Sequence, residues 1–217
     1  MVLLNALVAL FTLLMLFRHA PRAVLFVAPR SVRITGDAAA TPRASGQIAT
    51  GELLAQLGFQ RLGLRRERGP IGGLDLEVDA WAHPDGTCAD AYPAGSRQVV
   101  VSFLTSLADG FLVGTSNFRR TSVEGTGGRV GGIPGAGLEG ALAAHRKAVG
   151  PLAAAHGTAQ PVADLAGRIG LAHRFYAGIG AAELRRPSFM SLLNTALAVV
   201  LLGTAVKGIL RGLGVLG

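Results

Sequence analysis

The stretch Arg97–Asn117, RQVVVSFLTSLADGFLVGTSN, decides the fold. Gln98–Thr105 and Phe111–Ser116 are two runs rich in Val, Phe, Leu and Thr. Ala108-Asp109-Gly110 lies between them as a turn. This spacing predicts a hairpin at the centre of a small antiparallel sheet. Upstream, Leu74–Ala82 (LDLEVDAWA) alternates strictly, which is the signature of a strand. The turn His83-Pro84-Asp85-Gly86 leads to a partner strand, Thr87–Tyr92. Phe59–Leu64 reads as a first strand, Arg65–Arg68 as a charged turn, and Pro70-Ile71-Gly72-Gly73 as the lead into Leu74. Four or five strands in consecutive hairpins make a meander.

Helices are expected on either side of the strands. Thr50 reads as an N-cap, with Glu52 in the first turn, a stripe of Leu53, Leu54 and Leu57, and Gly58 as the stop. Leu138–Ala155 places Leu138, Leu142, His145, Val149 and Leu152 on one stripe, which Gly150-Pro151 should kink or divide. His145 then sits on or beside the buried face as a structural histidine. Pro161 opens a further helix with the stripe Val162, Leu165, Ile169, Ala172, Tyr176 and Ile179. Arg168, His173 and Arg174 fall off that stripe, and the helix runs on towards Arg185-Arg186-Pro187. Gly36–Gly46 has no apolar period and reads as a linker.

The two ends differ from the middle. Val2–Phe17 is uncharged over about 16 residues, roughly 24 Å as a helix; Ser188–Val206 is uncharged over about 19, roughly 28 Å. Each is expected to be a transmembrane helix. The first has no Lys or Arg before it, unlike a signal peptide's basic n-region, and Arg18-His19-Ala20-Pro21-Arg22 follows it, so it reads as an uncleaved anchor, with a cleaved signal peptide as the alternative. Ala23–Ala28 fits equally an interfacial segment or a strand. Arg18, Arg22, Arg30 and Arg33 follow the first run closely, which by the positive-inside rule puts both ends of the chain outside and the middle in the cytoplasm. The two spans would be antiparallel neighbours, with Asn5 facing Thr204 and Thr12 facing Asn194 and Thr195. A homodimer using the same polar residues is the rival arrangement.

Composition narrows the function classes. The chain of 217 residues is 50% hydrophobic and only 16% charged, with net charge +8, and one cysteine, Cys88, rules out an intrachain disulfide. Basic excess suits nucleic acid, an anionic membrane surface or the positive-inside rule; with 6% aromatics and no recognition motif, no nucleic acid is expected. Asp75, Glu77 and Asp79 share a strand face and invite a divalent-cation reading, but they read better as a solvated face opposite Arg97 or Arg119. Trp81 on the same face is expected to pack in the core. His83 and Cys88 are two ligands without a second pair, so no zinc site follows, and Cys88 reads as a half-buried structural thiol. Gly135-Ala136-Gly137-Leu138-Glu139-Gly140 matches G-x-G-x-x-G literally. It lacks a buried strand before it and an acid about twenty residues later, so the glycine-rich stretch Gly125–Gly140 that it ends reads as a flexible loop from the last strand to the next helix.

The expected fold is α+β: a small antiparallel meander packed by helices and flanked by two transmembrane helices. The expected layout is a transmembrane helix over 1–17, a juxtamembrane segment and linker over 18–49, and an α+β domain over 50–187. Within that domain the strands lie at about 59–123 and the helices at about 138–184; a second span over 188–206 and a tail over 207–217 follow. The expected setting is a bacterial inner membrane. The function expected is a membrane-tethered binding or scaffold module without a cofactor. Arg18, Arg22, Arg30, Arg33, Arg185 and Arg186 would contact anionic lipid headgroups, and a membrane or cytoplasmic protein would be a further partner. The alternative is a small membrane-associated enzyme or lipid-handling protein whose site would combine His83, Asp85, Asp79 and His145.

Overall fold

The structure is a computed structural model that describes residues 1–69, 74–94, 98–118, 120 and 122–215, with the side chains of residues 186 and 187 excepted. Pro70–Gly73, Arg97, Arg119 and the Arg186 side chain, all invoked above, lie outside this set. The chain divides into two compact units, one built on Met1–Ser31 and Leu184–Gly217, the other on Val32–Arg68 and Leu74–Glu183.

The second unit is the α+β part. Its eight described strands form one sheet: β1 (Arg33–Asp37), β2 (Gln60–Arg68), β3 (Asp75–Ala82), β4 (Thr87–Ala94), β5 (Gln98–Ser106), β6 (Leu112–Ser116), β7 (Val123–Gly125) and β8 (Gly128–Gly132). Their order is β1-β2-β3-β4-β5-β6-β8-β7. Strands β2 to β6 are the anticipated meander. The central hairpin closes at Gly110, where φ is +91° and only glycine sits without strain. The Asp109 carboxylate accepts from Phe111 N at 2.9 Å across this turn.

Eight strands replace the four or five expected, and each addition has a physical cause. β1 arises inside the segment read partly as linker, and pairs antiparallel with Leu64–Arg68. Arg65–Arg68 is therefore strand, not turn; its charges stay in the sheet because Arg65 and Glu67 find ionic partners there. β8 arises inside Gly125–Gly140, the glycine-rich stretch expected as a flexible loop, and β7 ends at its first residue. β8 lies parallel to β6, where Gly128 and Gly132 let the backbones meet; a Cβ on Gly128 would stand 2.5 Å from the Leu112 carbonyl oxygen. A strand thus precedes the G-x-G-x-x-G match, but only Gly128 and Val130 of it are buried, so it is not the fully buried strand that the dinucleotide pattern needs.

Strand alternation sorts the side chains between two covered faces. Ala89, Ala91, Val101 and Phe103 face helices α2 (Ser45–Gln56) and α3 (Leu138–His156), forming a core with Leu54, Trp81 and Leu142. Cys88, Leu104 and Leu112 face α4 (Leu165–Ala177), in a second core with Leu171 and Ile179. α2 begins five residues before Thr50, whose hydroxyl donates back to the Gly46 carbonyl instead of capping. Its inward face is Gln47, Gly51 and Leu54, while Leu53 is exposed. Gly51 leaves room for the Trp81 ring, which a Cβ would approach to 2.8 Å. That close approach buries Trp81 and Asp79, so this end of β3 is not the solvated face expected.

α3 runs unbroken through Gly150-Pro151 because both residues are exposed and water can satisfy the freed carbonyl. α4 starts at Leu165, later than Pro161, with the Asp164 carboxylate accepting from Gly167 N at 2.7 Å. It stops at Gly178, and α5 (Ile179–Gly212) follows; Leu184 onward belongs to the other unit.

In that other unit α1 covers Val2–Val27, so Ala23–Ala28 is the end of a helix and its C-cap, neither strand nor separate segment. Val2–Val27 and Ser188–Gly212 are both long and apolar enough to cross a membrane. They run antiparallel: Asn5 lies against Gly208, His19 Nδ1 is 3.4 Å from Ser191 Oγ, and the rings of Phe26 and Phe189 are 6.0 Å apart. This register is a turn away from the one expected. Asn5 meets Gly208 and not Thr204. The hydroxyls of Thr12, Thr195 and Thr204 donate to their own helix, at Val8, Ser191 and Leu201. A hydroxyl with no water nearby is most cheaply satisfied by the carbonyl one turn back.

Candidate functional site

The chemistry of the α+β unit is concentrated on the α4 side of the sheet. In β4 the sequence Cys88-Ala89-Asp90-Ala91-Tyr92 sends Asp90 to the face opposite Ala89 and Ala91. Asp90 is 5% exposed, and it meets Arg65 from β2 and Arg168 from α4. Arg65 Nη2 donates to Asp90 Oδ2 at 2.7 Å, and Arg168 grips the same carboxylate through Nε, at 3.2 Å from Oδ1, and through Nη2. Arg65 Nη1 donates to Glu67 Oε1, and the Tyr176 hydroxyl donates to Glu67 Oε2. Two guanidinium groups and two carboxylates form this buried cluster, so it is electrically neutral. At its edge Arg120 makes a fork with Glu183 and lies 5.4 Å over the Phe175 ring.

Burial and charge act against each other here. The two guanidinium groups hold the Asp90 carboxyl below its usual range although burial works the other way. Burial, helped by the neighbouring Arg168 charge, pulls Arg65 below the ordinary arginine value. Burial pushes the Tyr176 hydroxyl up to about 12, so it stays a donor. Between the cluster and α4 lies a cavity of ≈ 80 Å³, with Leu76, Val78, Tyr92, Leu104, Ala172 and Phe175 among its walls.

Sequence reasoning missed this site for two reasons. Arg168 falls off the apolar stripe expected for α4, yet it stands four residues before Ala172 and three after Leu165, which is the buried face. It is 2% exposed. Arg65 and Glu67 were assigned to a turn. The available signal was Asp90, a charge at an alternate position in a strand where its neighbours Cys88, Ala89 and Ala91 are small and apolar. Such a strand is covered on both sides, and a buried carboxylate then demands cations.

Of the four residues of the enzymatic alternative only His83 and Asp85 meet; Asp79 and His145 stand apart from them, and none of the four lines the cavity. Asp79 accepts from Arg61 Nε at 2.7 Å and from the Trp81 indole N–H at 2.8 Å. His83 Nδ1 is 2.9 Å from Asp85, which also accepts from Arg146 at 2.9 Å. His145 is fully buried between the hydroxyls of Thr105, at 2.9 Å, and Thr115, at 3.1 Å. Asp75 pairs with Arg66 at 2.7 Å on the surface, so the three acids of β3 do not gather. Among the described residues no three His, Cys, Asp or Glu side chains come together as metal ligands. Cys88 is 1% exposed, more buried than expected, and its burial raises the thiol to about 11, far from a nucleophile. The G-x-G-x-x-G match opens α3, but Glu139 lies beside Gly137 and Gly140 there, and its carboxylate would repel a phosphate. Arg18, Arg22, Arg30, Arg33 and Arg185 are all exposed. Arg185 Nε also donates to the Phe26 carbonyl at 3.3 Å.

Comparison with known proteins returns no matching family model, no matching curated sequence and no matching solved structure, which leaves the functional reading to geometry.

Proposed function

We propose that this chain is a two-pass membrane protein whose α+β unit faces the cytoplasm as a binding module without catalytic activity. The observation that carries the proposal is the bareness of the apolar helices. Only 6% of the first apolar window and 17% of the second are buried, whereas a core helix of a soluble protein would be mostly covered. Leu7, Leu10, Phe11, Leu14 and Phe17 on α1 are all more than half exposed. Side chains of that kind in water would aggregate; in a bilayer they cost nothing. Cytoplasmic placement rests on the arginines that follow Phe17, and the exposure of Arg18, Arg22 and Arg30 leaves them free for anionic headgroups. The enzymatic alternative loses support because Asp79 and His145 sit in hydrogen-bonded settings of their own, apart from the His83–Asp85 pair.

The test is single-site labelling. The native thiol is buried and does not compete, so Glu124→Cys supplies one exposed thiol on the α+β unit; the Glu124 side chain is 69% exposed. A membrane-impermeant maleimide should label this variant in inside-out vesicles and not in intact cells. Labelling in intact cells would put the unit outside and defeat the arginine argument. Extraction of the chain by alkaline carbonate would defeat the membrane reading altogether.

A further inference from the structure

The buried cluster beneath α4 has more donors than acceptors. Every carboxylate oxygen of Asp90 and Glu67 already accepts a hydrogen bond. Two guanidinium nitrogens, Arg65 Nε and Arg168 Nη1, have no acceptor among the described residues. Both side chains are more than nine-tenths buried, and both line the ≈ 80 Å³ cavity. A buried charged donor left unpaired carries its full desolvation cost, so native proteins supply something to fill it. Roughly 10–15 Å³ of such space holds one water, so this cavity takes a group of several atoms.

The walls specify the group further. Leu76, Val78, Leu104, Ala172 and Phe175 offer apolar surface and no donors, and Arg120, the third guanidinium in the lining, is already forked onto Glu183. A phosphate would present oxygens to that surface and bring two negative charges beside Asp90 and Glu67. A carboxylate brings one charge on one end only. It would sit where burial and the Arg168 charge already weaken the Arg65 cation. Guanidinium N–H groups suit a planar carboxylate.

We propose that the cavity bounded by Arg65, Arg168, Tyr176 and Ala172 binds a small monocarboxylate with a short apolar tail. The carboxylate accepts from Arg65 Nε and Arg168 Nη1, and the tail lies against Leu76, Val78 and Phe175. This rests on the binding-module reading and names the class of ligand that the module holds.

The experiment is a calorimetric titration of the full chain in detergent with butyrate, with butyramide and inorganic phosphate as comparisons. Butyrate should bind saturably and at least tenfold more tightly than butyramide, and phosphate should not displace it. Arg168→Gln should abolish binding, but it risks the fold. Ala172→Leu fills the cavity and leaves every charge in place; it should weaken butyrate at least tenfold while the melting transition persists. No saturable response to butyrate, propionate or benzoate from the folded chain would mean that the cavity holds water only, and would overturn the proposal. So would an Ala172→Leu variant that binds as well as the parent, or displacement by phosphate. Failure of the wider reading looks different. Butyrate recovered chemically altered would keep the site and remove the non-catalytic claim; a membrane or topology result against that reading leaves the isotherm untouched.

Discussion

His145 shows how far a single residue is fixed by its surroundings. Its two ring nitrogens meet the hydroxyls of Thr105 and Thr115, and its ring lies 5.9 Å from that of Phe103. A hydroxyl can donate or accept, so the pair satisfies a neutral imidazole in either tautomer. A protonated ring would need a counter-charge that the pocket lacks: Asp85 favours the cation only weakly, and Arg146 opposes it. Burial therefore pushes His145 down to about 4. Between pH 6.5 and 4 the unfolded chain takes up a proton that the folded chain refuses, so stability falls as pH falls through that window. The loss from this one group amounts to about 2 kcal/mol by pH 5. Chemical denaturation of the full chain in detergent at pH 7.5 and 5 should show it, and His145→Gln should remove about that much of the slope. An unchanged slope in the variant would assign the pH dependence to other groups.

At the scale of elements, glycine sets how closely α1 and α5 approach. A Cβ on Gly208 would collide with the Asn5 amide, and one on Gly212 would come within 2.5 Å of Val2 Cγ2; at Gly203 it would meet nothing within 4 Å. Small residues at a helix seam allow dense packing where no hydrophobic effect operates between helices. Gly208→Leu should therefore part the helices and Gly203→Leu should not. With cysteines at His19 and Ser191, a short bifunctional maleimide should cross-link the parent and the Gly203→Leu chain efficiently, and Gly208→Leu several-fold less. Equal yields would deny the seam. The antiparallel pair itself was legible in the sequence, because two uncharged runs of bilayer length flank one domain. Its register was not, because polar residues were matched across helices while Thr12, Thr195 and Thr204 satisfy themselves locally. The meander was legible for the same kind of reason: β3 alternates with period two, β5 and β6 are runs rich in Val, Leu, Phe and Thr, and Gly86 and Gly110, turn residues of positive φ, fall between β3 and β4 and between β5 and β6. β1, β7 and β8 were hidden because glycine and charge mark loops on average. Here glycine admits a parallel neighbour, and charge is buried in pairs. Asp90 carried a signal of burial, but its partners were illegible because they come from β2 and α4, and only tertiary structure brings positions 65, 90 and 168 together.

At the scale of the molecule, the division into two units makes a claim about solubility. The three hydrophobic clusters of the α+β unit draw on residues between Leu54 and Ile179, and none uses α1 or the apolar part of α5. Its charge network likewise closes within Arg61–Glu183. A fragment spanning residues 32–183 keeps all eight described strands, α2, α3 and α4, and over 100 residues of sequence, enough to bury a core of its own. It sheds the exposed Leu, Val and Phe side chains of Val2–Val27 and Ser188–Gly212. The fragment should express in soluble form, remain monomeric without detergent, and melt in one cooperative transition with a strand-rich circular dichroism spectrum. The full chain should need detergent and float with vesicles of neutral phospholipid, where no surface charge can recruit it. A fragment that aggregates or fails to melt cooperatively would show that the helices complete the domain's core. A full chain that stays in solution without vesicles would mean that the apolar helices are covered by a protein surface, such as a second copy, and not by lipid.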